Sequence, residues 1–114
     1  MGMNEGIPNG WGILPSKIRY CKELSSTAKL LYCEINCLTN KFGYSFAKNK
    51  YFADLYDLSE DRISKLIHQL EKLGFIKVVL TRSDVNSFVT DRKIYIVQEA
   101  LFESEEQDDE VKNN

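Results

Sequence analysis

The hydrophobic positions of this chain follow a helical period in its first two-thirds and a strand-like pattern thereafter. In "SSTAKLLYCEINCLTN", Ala28, Leu31, Tyr32, Ile35 and Leu38 recur at three- and four-residue intervals. That spacing predicts a helix over residues 25–39, with Ser25 or Ser26 as its N-cap and Gly43 shortly beyond its end. "GYSF" is a short extended segment. Phe52, Leu55 and Tyr56 then make one face of a second helix, over 48–56, and Asp57-Leu58 form a tight turn. Ser59 caps a third helix over 59–73, in which Ile63, Leu66, Ile67, Leu70 and Leu73 form an unbroken stripe that Gly74 stops.

Beyond Gly74, "FIKVVLTR" and "RKIYIV" are rich in β-branched and aromatic residues, and the polar stretch "SDVNSFVTD" separates them. They read as antiparallel strands over 75–82 and 92–97, joined by a long loop. Helix, short strand, helix, tight turn, helix, hairpin is the element order of a winged helix-turn-helix. The expected fold is α+β but mainly α, a three-helix core with a C-terminal β-hairpin wing. Upstream, Trp11, Ile13, Leu14 and Ile18 are expected on the outside of the same core, with Pro15 opening a short helical turn.

Composition bears on this in three places. A length of 114 residues allows one domain, set here at 11–98. Residues 1–10 show no signal peptide and read as a disordered N-terminus or cloning remnant, and no apolar run reaches a membrane span. A cytoplasmic, membrane-free protein is expected. The formal net charge of −2 is unevenly distributed, because residues 99–114 hold seven acids and one base. The remaining body carries 14 bases and 10 acids, a net +4 suited to a polyanion, and the acidic end is expected to be a disordered tail or linker. Cys21, Cys33 and Cys37 have no disulfide-framework spacing. With His68 as the one histidine they do not complete a metal site, so they read as buried small hydrophobes, and no metal or cofactor is expected.

If the apolar stripe of the third helix faces inward, Glu60, Asp61, Arg62, Ser64, Lys65, His68, Gln69 and Lys72 face outward. Arginine and lysine pair with guanine edges and glutamine with adenine, and the first turns of such a helix reach into the major groove. The same residue types also make the ordinary solvated face of an amphipathic helix. Glu60 and Asp61 complement the positive end of the helix dipole, yet near phosphates they repel, and an acid there can accept from a cytosine amino group. Lys48 and Lys50 begin the second helix, while Arg82, Arg92 and Lys93 fall at the distal end of the hairpin, so five bases on three elements are expected to converge. The loop between the strands carries Asp84 and Asp91 with apolar Val85 and Phe88. Such a tip can tuck onto the body, enter a minor groove or meet a protein, and the first is the default.

With these residues placed, the chain resembles the winged helix-turn-helix domains at the front of phage and plasmid replication initiators and replisome organisers of Gram-positive bacteria. "GWGILPSKI", "LSSTAKLLYCEINCLTNKFGYSFAKNKYFADLYDLSEDRISKLIHQLEKLGFI" and "RKIYI" carry the likeness over about residues 11–97. The resemblance implies binding of origin or promoter DNA, with further segments recruiting replication proteins such as a helicase loader. It implies DNA contacts from Asn49, Lys50 and Tyr51 and from Ser59, Arg62, Ser64, Lys65 and His68. The chain departs from that family at Glu60 and Asp61, where basic or hydroxyl residues are common, and at Lys48, where a serine cap is common. An acidic end suits a linker to a further domain.

The leading expectation is a non-enzymatic domain that binds double-stranded DNA in replication initiation. A transcriptional regulator of the same fold, usually a homodimer spanning two half-sites, is one alternative, although the chain has no obvious long dimerisation helix. A protein-interaction module that does not bind DNA is another. An enzyme has little to build on, with one histidine, no glycine-rich phosphate loop and no carboxylate pair at a telling spacing.

Overall fold

The computed structural model describes residues 13–86 and 88–98, so Trp11 and the expected disordered ends lie outside the described residues. Four helices, α1 (Ser16–Arg19), α2 (Ser26–Phe42), α3 (Asn49–Tyr56) and α4 (Glu60–Lys72), precede two strands, β1 (Ile76–Arg82) and β2 (Val89–Ile96). The predicted winged helix-turn-helix is the fold observed, and the short helical turn expected after Pro15 is α1. Ser25 is the cap of α2, its hydroxyl accepting from the Ala28 N–H at 3.1 Å. The helix runs three residues past its predicted end, because nothing breaks it before Gly43 turns left-handed at φ 84°. Ile18 is buried, while Ile13 is exposed rather than packed. The three cysteines are half-buried, not buried.

The core forms where α2, α3 and α4 bring their apolar faces together. Leu31, Tyr32 and Ile35 of α2, Phe52 of α3, and Ile63, Leu66, Ile67 and Leu70 of α4 are buried, with Phe75, Ile76 and Ile94 closing the hairpin side. Fully burying each large apolar side chain contributes roughly 1.5–3 kcal/mol, so the α4 stripe alone fixes which face of that helix meets water. Polar ties set the angles. The Tyr56 hydroxyl reaches Glu34 Oε1 of α2 at 3.0 Å, and burial followed by the Glu34 carboxylate pushes its pKa far up. The Gln69 amide donates to the Glu23 carbonyl at 2.8 Å, and Glu71 Oε2 accepts from the Val78 N–H of β1 at 2.9 Å.

The sheet has one more partner than the hairpin supplies. β1 and β2 pair antiparallel from Ile76↔Ile96 to Arg82↔Val89, with an irregularity at Thr81/Arg82. Ser45, in the predicted extended segment, exchanges two backbone hydrogen bonds with Ile94, at 2.9 and 2.8 Å. β2 begins three residues before its predicted start because Val89 and Thr90, both β-branched, continue the ladder. Arg92 therefore lies opposite Leu80, inside the ladder, and not at its distal end. Its guanidinium forks onto Asn49 Oδ1 and the Ala47 carbonyl, each at 2.7 Å, and burial lowers its pKa. One side chain thus latches the wing to the start of α3.

α3 and α4 end alike: Leu58 N–H bonds the Ala53 carbonyl at 3.0 Å, and Phe75 N–H the Leu70 carbonyl at 3.1 Å. The left-handed residue in the second is Gly74 (φ 85°), whereas in the first it is Asp57 (φ 54°). A residue with a Cβ pays about 1–2 kcal/mol in that conformation, partly offset by the greater chain entropy glycine loses. Asp57→Gly should therefore raise stability by about 0.5–1 kcal/mol in denaturant unfolding, and an unchanged or lower midpoint would refute the turn geometry. Arg92→Ala should cost about 1.5–3 kcal/mol, since it strips charge-assisted hydrogen bonds from half-buried partners. In a double-mutant cycle with Asn49→Ala the two losses should fail to add, by more than about 0.5 kcal/mol. Simple additivity would mean that the latch does not form in solution.

Candidate nucleic-acid interface

The N-terminal half of α4 leaves the body with Glu60, Asp61, Arg62, Ser64 and Lys65 all exposed, and His68 and Lys72 follow on the same surface. Ser59 caps the helix, its hydroxyl accepting from the Arg62 N–H at 3.1 Å, so this candidate contact already has a structural role. Lys65 pairs with Asp61 one turn back, at 3.3 Å. Asp61 therefore both faces the helix dipole and holds a base that could reach a phosphate. Arg62 pairs with no acid among the described residues, which leaves it more available to a ligand than Lys65. Gln69 is half-buried and committed to the Glu23 carbonyl, away from the role expected of it.

A cleft of about 460 Å³ opens between the starts of α3 and α4 and the wing, lined among others by Lys48, Asn49, Glu60, Leu80, Thr90 and Arg92. Its position is what a helix-turn-helix needs to straddle a backbone strand while α4 enters the neighbouring groove. Lys48 occupies the N-cap position of α3 without a side-chain cap bond, leaving its ammonium exposed. Asn49 lends its carbonyl oxygen to Arg92, so it shapes the cleft wall. Glu60 stands in the same cleft, placing a carboxylate where a phosphate would approach.

The expected convergence of five bases is not what the structure shows. Consecutive strand residues point to opposite faces, so Arg92 lines the cleft while Lys93 lies on the other side of the sheet, 4.9 Å from the Tyr44 ring centre. Lys50 is paired with Asp54 at 3.2 Å. Tyr51 is half-buried, packs edge-on to Phe52 at 5.4 Å and lines a separate cavity beside Leu38 and Phe42 of α2. Its hydroxyl pKa is raised by burial and then by Glu34 and Cys37. Arg82 ends β1, exposed. What remains together is Lys48, Glu60, Asp91 and Arg92 at the cleft, with Arg62, Ser64 and Lys65 on α4 beyond it. Phe46, Ala47, Leu80, Val89 and Thr90 also line the cleft and were left out of the sequence reading; strand alternation from Arg92 would have found Thr90.

Among the described residues, no helix is long and apolar enough to cross a membrane. No curated protein and no solved structure matches the chain. Residues 22–76 match a family model described as a helix-turn-helix domain, an interval that runs from just before α2 to the first residue of β1. The chain thus folds as a helix-turn-helix domain completed by a two-stranded wing, and DNA is the partner such a domain suggests.

Proposed function

We propose that this chain is a non-enzymatic domain that binds double-stranded DNA through α4 and the adjoining cleft, as the DNA-binding part of a phage- or plasmid-type replication initiation protein. The observation that carries duplex binding is the exposed N-terminal face of α4, with Arg62, Ser64 and Lys65 beside a cleft that presents Lys48. The replication role rests on the sequence resemblance, which runs from the Trp11 region through the closing strand. Selecting bound fragments from random DNA and testing whether the selected sites maintain an origin-less plasmid, with the gene supplied, distinguishes that role. Maintenance supports initiation, whereas sites that only repress or activate a linked promoter assign the domain to transcription.

Arg62→Ala and Lys65→Ala should each weaken duplex binding while leaving the unfolding midpoint nearly unchanged, since both side chains are exposed. For Arg62→Ala, the dependence of log affinity on log salt should flatten by about one unit, the signature of one lost phosphate contact. If both variants bind like the parent, α4 is not the reader.

The acids give a second prediction of opposite sign. Asp61→Asn frees Lys65 and removes a repulsion, so affinity for unrelated duplex should rise while stability falls by about 0.3–1 kcal/mol. Glu60→Gln should likewise strengthen unrelated binding, because its carboxylate stands in the cleft. A selective loss of about 1–3 kcal/mol at a single base pair would instead make Glu60 a base reader.

A further inference from the structure

The face of the sheet turned away from the core carries a run of aromatic rings, of which Phe46 alone also borders the cleft beside α4. Ser45 is buried and bonded to Ile94, so strand alternation sends its neighbours Tyr44 and Phe46 to the opposite face. There Tyr44 meets Tyr95 of β2 at 5.9 Å between ring centres, Phe46 meets Tyr44 at 6.2 Å, and Phe42 of α2 meets Phe46 at 5.6 Å. Four rings form one continuous chain, and Phe42 and Phe46 are more than half exposed. Rings left in water at this density are unusual for a surface without a ligand.

Cations surround the rings. Lys93 sits over Tyr44, Lys77 lies directly opposite Tyr95 in the register, and exposed Lys41 precedes Phe42 in the chain at the end of α2. Beyond Phe46 the row passes into a cavity of about 590 Å³, floored by Leu38, Phe42 and Ala47 and edged by Lys48 and Lys50. The acid in its lining is Asp54, already paired with Lys50, while Asp91 lines the cleft beside α4. Aromatic faces set among lysines, with the balance of charge positive, complement a polyanion that has flat apolar faces of its own.

We propose that this face binds single-stranded nucleic acid, with bases stacked on Tyr44, Phe46 and Tyr95 and phosphates held by Lys41, Lys77 and Lys93. A duplex cannot use the site in this way, because its base faces are already stacked inside the helix. An apolar peptide would use the rings and leave the lysines without a role. The cavity beside the rings shares Phe46 and Lys48 with the rim of the cleft but takes no side chain from α4, so the inference stands whether or not α4 reads duplex DNA.

The test is fluorescence anisotropy with a labelled 15-mer of thymidylate and a labelled 15-base-pair duplex, using the whole chain. The parent should bind the single strand at low salt. Phe46→Ala and Tyr95→Ala should each weaken that binding about 5- to 150-fold, the equivalent of one lost base–aromatic stack. Phe46→Tyr should retain it, and Arg62→Ala should weaken duplex binding only. Far-ultraviolet circular dichroism of each variant confirms that the fold persists, which the exposure of Phe46 leads one to expect. The proposal is overturned if the parent fails to bind the single strand, or if folded Phe46→Ala and Tyr95→Ala variants both bind it like the parent. It is also overturned if the parent sediments as a dimer that Phe46→Ala dissolves, since a second copy then occupies the face.

Discussion

The whole arrangement depends on one face of α4 being driven out of water. Ile63, Leu66, Ile67 and Leu70 bury against α2 and α3, and no other rotation of the helix hides all four. Once that is settled, Arg62, Ser64 and Lys65 have nowhere to go but outward. The tight turn before α4 follows from the same requirement, since α3 must stop and the chain change direction within three residues for Phe52 to share the core. The chirality of the turn is imposed strongly enough that Asp57 accepts a left-handed backbone without glycine's freedom.

The wing is placed by polar interactions more than by apolar ones. Only Ile76 and Ile94 of its two strands are buried, and much of the rest of the ladder faces solvent. The Arg92 fork and the exchange of hydrogen bonds between Ser45 and Ile94 compensate by tying β2 to the segment leading into α3. A guanidinium suits this task because it stays charged under partial burial and offers several donors in fixed directions to two acceptors. The cleft between wing and helices owes its width to a hydrogen-bonded spacer, not to close packing.

The helices and the stripe of α4 were legible in the sequence because helical periodicity and the signals of Ser25, Gly43, Ser59 and Gly74 agree with one another. The wing was legible as a hairpin but not in its length, since Val89 and Thr90 look like loop when counted with the polar residues before them. That displacement of three residues mattered for the site. It moved Arg92 from the rim into the ladder and, through alternation, parted it from Lys93. Gln69 and Tyr51 were misplaced for another reason: side chains half-buried beside a neighbouring element are indistinguishable by residue type from exposed ones. The aromatic row could not be read at all, because Phe42, Tyr44 and Phe46 come near Tyr95 only when Ser45 joins the sheet.

The bond from Glu71 to the Val78 N–H has a bearing on how this molecule behaves among its own copies. β1 is the outer strand, and Val78 presents its N–H to the open side, as the register and the pairing of Ile94 with Ser45 require. An uncovered edge beside exposed Val79, Leu80 and Val89 would be a template on which another chain's strand could add. Glu71 occupies that donor and sets a negative charge along the approach, so the strand resists extension. A strand adding at that edge would first have to displace the carboxylate from the Val78 N–H.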